Sequence, residues 1–122
     1  MEKNINLVRF GRMGEEEACK WLLQKGYRIQ DRNYCIRGGE IDIIAWDGDV
    51  LVFVEVKTRT SNRYGTGFDA VTSKKQKRLC HAARQYIMDH KIADVWMRFD
   101  VIEVRPEEET FRIHHIKNAF EE

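Results

Sequence analysis

The sequence predicts a single α/β or α+β domain built on a mixed β-sheet. Its 122 residues are 43% hydrophobic and 34% charged, which is the balance of a globular chain of one-domain length. Two segments have helical periodicity and the others alternate as strands do, in the order α-β-β-β-α-β-β. This order places helices against a sheet, so residues 1–122 are predicted to form one domain.

The first helix is predicted over residues 14–26, because an apolar stripe runs through Ala18 and Leu22. Three glutamates at 15–17 would then occupy its first turn, where they favour the positive end of the helix dipole. Of the three, Glu15 is best aligned with the stripe that faces the core.

The strands follow from alternation and from the turn residues between them. Asp47-Gly48 indicates a tight hairpin, and residues 58–71 form a loop with two glycines. The second helix is predicted from Ser73 to about His90, and Ser73 and Gln76 have the spacing of a capping box. The final residues are expected to form a short helix. The strands are predicted over 27–34, 39–46, 50–58, 95–105 and 110–116.

The central hairpin, "GGEIDIIAWDGDVLVFVEVKTR" at 38–59, carries carboxylates and a lysine among apolar residues. Two registers are compatible with its turn, and both put Asp42, Glu55 and Lys57 on one face, since strand side chains alternate. In one register Asp42 lies diagonal to Glu55, and in the other it lies directly opposite. The hairpin therefore predicts a polar cluster on one face of the sheet.

Two buried carboxylates repel each other, and desolvation adds to the cost. A divalent cation resolves the conflict, and Mg²⁺ takes oxygen ligands such as Asp42 and Glu55. A cation there would polarise a phosphoryl oxygen, while Lys57 would orient water or offset charge on the phosphate. Glu15 would add a further ligand from the helix. The alternative is a buried ion-pair network in an interaction protein.

These residues resemble a known nuclease core. "GEID" at 39–42 and "FVEVKTR" at 53–59 resemble the motif of the PD-(D/E)xK nucleases. Within that group the chain resembles the YraN-like family of bacterial proteins over about 11–120, and the archaeal Holliday-junction resolvases are similar. Further segments that carry the resemblance are "GEEEA" (14–18), "AVTSKKQKRL" (70–79), "RFDVIEV" (98–104) and "HIKNAF" (115–120).

The resemblance implies a restriction-endonuclease-like fold, a central mixed sheet flanked by helices. It implies Asp42, Glu55 and Lys57 as the catalytic set, with Glu15 as the helix carboxylate. The metal would be Mg²⁺ or Mn²⁺. The expected activity is endonucleolytic cleavage of DNA, branched or structured DNA in particular, and the alternative is a nucleic-acid-binding module that keeps the fold without cleavage. Cutting both strands of a junction symmetrically would require a homodimer.

Charge distribution also favours a nucleic-acid partner. The net charge is only +1, yet eight basic residues lie between Lys57 and Arg84 against Asp69 alone. A solvated helix face would have the same composition. Arg63 and Tyr64 are weaker candidates for which solvation is favoured. The residues expected to contact nucleic acid are Arg59, Lys74, Lys75, Gln76, Lys77 and Arg78.

Several other classes of protein are not expected. No apolar run approaches the ~20 residues of a membrane span, and the N-terminus lacks a signal core, so a cytoplasmic location is expected. Three cysteines without a CxxC argue against a disulfide framework. His114 and His115 would point to opposite faces of a strand, which argues against zinc. Asp100 is predicted to pair with Arg98 only where their strand bends.

Overall fold

The computed structural model describes residues 7–59 and 72–121, with the backbone alone for 7–10. The element order is the predicted one, α-β-β-β-α-β-β. The expected contacts of Arg63 and Tyr64 lie outside the described residues, as does most of the loop predicted over 58–71. The elements are α1 (Leu7–Gln24), β1 (Arg28–Ile36), β2 (Gly39–Asp47), β3 (Val50–Thr58), α2 (Ser73–Asp89), β4 (Trp96–Glu107) and β5 (Thr110–Phe120).

The five strands form one mixed sheet in the order β1-β2-β3-β4-β5. Neighbouring strands are antiparallel except β3 and β4, which are parallel and joined by the crossover through α2. Each helix covers one face of the sheet and closes one hydrophobic core. The mixed sheet flanked by helices is therefore confirmed. Neither described helix is long and apolar enough to cross a membrane.

The first helix begins at Leu7, seven residues before the predicted start at Gly14. The glutamates at 15–17 consequently lie inside the helix, and their predicted place in its first turn is wrong. Gly14 is buried within α1, and a Cβ at this position would collide with the side chain of Thr58 at the end of β3. A glycine is needed at this position because the helix and the strand approach closely there, and it does not mark a helix boundary.

The second helix begins at Ser73, as predicted, but its cap lies one residue earlier. Thr72 has extended backbone angles (φ −72°, ψ 167°), and its hydroxyl accepts the Lys75 N–H at 3.2 Å. The predicted capping box of Ser73 and Gln76 is therefore wrong, because Ser73 already lies inside the helix.

The β2–β3 hairpin selects one of the two predicted registers. Trp46 pairs with Leu51, which is the register that sets Asp42 opposite Glu55. The pairing closes around Gly48 and Asp49, with Gly48 at φ +60°, so the predicted Asp47-Gly48 turn is one residue too early.

The last strand continues to Phe120, and the short final helix expected from the sequence is wrong. Phe120 pairs with Phe99 across β4 and β5, and the two rings stack with centroids 4.8 Å apart. Packing of this aromatic pair against the core beneath α2 holds the last residues of β5 in the sheet.

Asp100 forms a pair with Arg98 beside an irregularity of β5, whereas β4 itself pairs regularly with β3 at these residues. The register of β4 against β5 shifts between Phe99 and Val101, and Arg98 donates to Asp100 at 2.9 and 3.2 Å. The side chain of His115 and the Asn118 N–H also reach the Asp100 carboxylate, at 2.7 and 3.0 Å. Burial raises the pKa of Asp100, but these hydrogen bonds outweigh it and hold the pKa below its usual value.

Gly14→Ala is expected to destabilise the protein although alanine is the better helix former, because the new methyl group meets Thr58. Gly11→Ala is the matched control in the same helix, since a Cβ there meets nothing within 4 Å. It should stabilise by about 0.5–1 kcal/mol. Urea unfolding of both variants checks the prediction. Changes of the same sign and size in the free energy of unfolding would contradict it.

Asp100→Asn is expected to cost about 3 kcal/mol, because it leaves the Arg98 guanidinium without its buried anion. The depressed pKa of Asp100 gives stability that is present above the unfolded pKa and lost as the pH falls through the lower folded pKa. The wild type should therefore lose more stability than the variant on acidification below about pH 5. Asp49→Asn, in the exposed turn, is the control for unfolding measured against pH.

Candidate active site

Asp42 lies where β2 separates from β3. The pairing of the two strands runs from Asp47 and Val50 to Ile43 and Val54. The Val56 N–H then donates to Asp42 Oδ2 at 2.8 Å. A side-chain oxygen thus satisfies a backbone donor of β3, and the carboxylate is fixed between the strands.

The edge strand β1 contributes a second irregularity at the same level. Arg32 pairs with Ile43 and Tyr34 with Ile41, while Asn33, between them, has a left-handed backbone with φ 53°. The Asn33 side chain hydrogen-bonds Glu15 of α1, which offsets part of the rise that burial causes in the pKa of that carboxyl. Asn33 was missed by the sequence analysis. Its one signal is that asparagine tolerates the left-handed region better than other residues do.

Glu55 is 5% exposed, and its carboxyl group lies at hydrogen-bonding distance from that of Asp42. Its Oε2 lies 3.2 Å from Lys75 Nζ, and its Oε1 is buried without a hydrogen-bond partner among the described residues. Burial first, and then the charge of Asp42, raise the pKa of Glu55 to about 8. Burial likewise raises the pKa of Asp42. The two carboxyl groups therefore hold a proton between them at neutral pH.

Lys75 is the lysine that contacts this carboxylate pair. Its ammonium group lies 3.2 Å from Glu55 and 4.0 Å from Glu40. Burial lowers the pKa of Lys75, but the hydrogen bond to Glu55 and the charges of Glu55, Glu40 and Asp42 together outweigh it and raise the pKa above its usual value. Lys57 lies two residues after Glu55 on β3 and is exposed. Within the described residues Lys57 forms no ion pair, so its predicted catalytic role stays a prediction.

Glu15 lies beside the pair without completing a cluster. It is half-buried, and burial first and Asp42 second raise its pKa. Across residues 7–59 and 72–121, no group of three or more histidine, cysteine, aspartate or glutamate side chains is gathered to hold a metal ion. The metal-ligand role of Glu15 stays a prediction.

The carboxylate pair nevertheless fits a Mg²⁺ ion. The orphaned Glu55 Oε1 is a buried acceptor that needs a positive partner, and Asp42 supplies a second carboxylate at hydrogen-bonding distance. Mg²⁺ in proteins commonly takes one or two carboxylates and fills its remaining positions with water and phosphate oxygens. Asp42 and Glu55 would be those ligands.

The residues expected to contact nucleic acid do not share one environment. Lys75 points into the carboxylate pair, and Arg78 lies 4.0 Å from Glu40 at the rim. Lys74 and Lys77 are exposed on α2, and Gln76 is half-buried. Arg59 donates to the buried carboxylate of Glu103 at 2.9 and 3.1 Å.

Similar proteins identify the family. The sequence profile of the uncharacterised protein family UPF0102 matches residues 14–104, a span that includes Asp42, Glu55 and Lys57. A UPF0102 protein of Alkaliphilus oremlandii is 49% identical over 92% of this chain and 97% of its own length. One from Symbiobacterium thermophilum is 50% identical over 92% and 96%.

A third relative, from Pelotomaculum thermopropionicum, is 46% identical over 90% of this chain and 93% of its own length. The similarity thus covers nearly the whole domain, and it agrees with the YraN-like resemblance of the sequence. The chain belongs to the uncharacterised protein family UPF0102.

Proposed function

We propose that this protein is a Mg²⁺-dependent endonuclease that hydrolyses phosphodiester bonds in DNA. The observation that carries the proposal is the pairing of half-buried Asp42 with buried Glu55, whose Oε1 has no hydrogen-bond partner among the described residues and whose Oε2 contacts a lysine. Paired carboxylates in a buried position destabilise a fold, so their presence favours a functional role over a structural one. Mn²⁺ would substitute for Mg²⁺, because the two ions prefer similar oxygen ligands.

A cation held by Asp42 and Glu55 would supply Lewis-acid polarisation of the phosphate and acidify a water molecule. The chain's own residues set the geometry. The Val56 N–H fixes the Asp42 carboxylate, and Lys75 Nζ fixes Glu55 Oε2. Lys57, on the same face of β3, would hold the attacking water or stabilise negative charge on the phosphate.

Substrate selection would come from the basic side of the site. Exposed Lys74 and Lys77, with Arg78, extend from the carboxylate pair along α2 and would contact phosphates on the bound strand. The resemblance to junction resolvases favours branched or structured DNA. A cytoplasmic homodimer would bring two sites to opposite strands of such a substrate.

A second function is a nucleic-acid-binding module that does not cleave. The observation that favours it is the Lys75–Glu55 ion pair, since an ammonium group already neutralises part of the carboxylate charge. Such a protein would bind DNA through the same basic side chains and would show no turnover with any metal.

Cleavage separates the two functions. We expect the wild type with Mg²⁺ or Mn²⁺ to cut labelled four-way-junction or flap DNA in preference to duplex and single-stranded DNA. Asp42→Ala and Lys57→Ala should each lower the rate by at least about a hundredfold, because each removes a group that acts on the reacting phosphate. Denaturing gels of the end-labelled strands give the rates.

Lys20→Ala is the matched control, because Lys20 is an exposed lysine of α1 that pairs only with Glu17 among the described residues. Its rate should equal that of the wild type. Junction binding by all four proteins without cleavage in either metal would reject the nuclease in favour of the binding module. Residual cleavage that is equal in the wild type and Asp42→Ala would point to a contaminant.

Glu55→Gln is expected to remove a pH-dependent loss of stability. The raised pKa of Glu55 gives stability that is fully present below the unfolded pKa near 4.5 and is lost as the pH rises through about 8. In EDTA, the free energy of unfolding of the wild type should therefore fall relative to that of Glu55→Gln between those pH values. Mg²⁺ should restore wild-type stability at pH 8, by about 2.7 kcal/mol at a hundred times its Kd, and leave the variant unchanged.

Urea unfolding across the pH range, with and without Mg²⁺, measures both effects. Glu109→Gln, an exposed carboxylate in the turn after β4, is the control and should follow the wild type. Identical pH profiles for the wild type and Glu55→Gln, with no response to Mg²⁺ in either, would contradict the assignment of a metal site.

A further inference from the structure

The face of the sheet beneath α2 changes character just beyond the carboxylate pair. Phe53, Phe99 and Phe120 align across β3, β4 and β5 and belong to the hydrophobic core. Two residues further along β3, Glu55 lies beside Val101. The next positions are almost all charged, and we name them the basic strip: Lys57, Glu103 and His114, followed by Arg59, Arg105 and Arg112.

Glu103 is the centre of the basic strip and is fully buried. Its Oε2 accepts Arg59 Nε at 3.1 Å and Nη2 at 2.9 Å. Its Oε1 lies 3.3 Å from His114 Nδ1 and 3.9 Å from Arg105 Nη2. A single carboxylate thus gathers three side chains from β4, β5 and the end of β3. A buried carboxylate is tolerated because these partners offset its desolvation.

The basic strip carries a net positive charge, and two of its cationic side chains, Lys57 and Arg112, are exposed, whereas Arg59 and Arg105 are mostly buried against Glu103. Four of its side chains are positive at neutral pH and one is negative. Lys57 is exposed, and the side chains of His114 and Arg112 are 58% and 68% exposed. Arg112 pairs with Glu107 at 3.0 Å, but both are exposed, so an anionic ligand can compete with that pair.

We infer that the basic strip binds the phosphate backbone of nucleic acid beside the cleavage site, and that Glu103 is the positioning residue that orients Arg59 for this contact. The inference rests on the proposed function, because it takes nucleic acid as the substrate. Lys57 connects the carboxylate pair to the basic strip. It lies two residues after Glu55 on β3 and is the neighbour of Glu103 in the β3–β4 register. Glu103 Oε2 accepts from Nε and Nη2 of Arg59 and so fixes the plane of the guanidinium, and an oriented planar fork of donors suits phosphate recognition.

Binding in EDTA and in Ca²⁺ tests the strip. The probes are a labelled oligothymidylate and a labelled duplex of random sequence, each over a series of salt concentrations. Arg112→Gln should weaken binding about five- to eightfold at 0.1 M salt and lower the salt slope by about 0.7–0.9, the loss of one phosphate contact. Arg28→Gln, an exposed arginine on β1, is the matched control and should change neither quantity.

Glu103→Gln gives the sharper result, because a pure charge effect and a positioning role predict opposite changes in affinity for nucleic acid. Removal of a negative charge would tighten binding if the strip acted through net charge alone. If Glu103 positions Arg59, binding should weaken severalfold despite the added positive charge. The effect should then vanish in an Arg59→Gln background, because the two residues act as a unit.

The outcomes separate the strip from the proposed function. If the wild type binds with a normal salt slope and Arg112→Gln behaves like Arg28→Gln, the basic strip is overturned and the nuclease proposal is untouched. If the wild type binds neither probe, the basic strip is overturned, and cleavage of the four-way junction decides the nuclease proposal separately. Circular dichroism establishes that each variant is folded. Should Glu103→Gln unfold, Arg59→Gln decides the positioning role, because unchanged binding in that variant would mean that Glu103 orients no phosphate contact.

Discussion

The separation of β2 from β3 at Asp42 is the constraint on which the rest of the site depends. A regular ladder would give the Val56 N–H a backbone carbonyl, and here it bonds the Asp42 carboxylate. On the other side, β3 pairs with β4 continuously from Val50 to Thr58, so Glu55 cannot move away. The backbone pairing thus keeps two carboxyl groups close together although their negative charges would repel once both are ionised.

Much of this arrangement could be predicted from residue alternation. Period-two patterning around Gly48 allowed two registers, and both placed Asp42, Glu55 and Lys57 on one face. The structure selects the register with Asp42 opposite Glu55 and brings these two carboxyls into hydrogen-bonding contact. The strand pattern sufficed because one face of the hairpin must be buried, which leaves few ways to pair the strands.

The remaining features depend on contacts between distant segments. Gly14 looked like a helix boundary, and only its approach to Thr58 explains a glycine inside α1. Asn33 reaches Glu15 across the sheet edge, which no local pattern predicts. The helical period already placed Lys75 on the inward side of α2 as a phosphate contact, and only the packing of α2 against β3 shows that its ammonium group reaches Glu55.

The origin of the carboxylate pair in a single hairpin has a consequence for the order of folding. Hairpins form within microseconds, whereas a parallel pair such as β3 and β4 must wait for its crossover to close. Asp42 and Glu55 therefore meet before α2 delivers Lys75, while their repulsion is still unopposed. We expect high pH to destabilise this early hairpin. Alkaline conditions should therefore lower the folding rate more than they raise the unfolding rate.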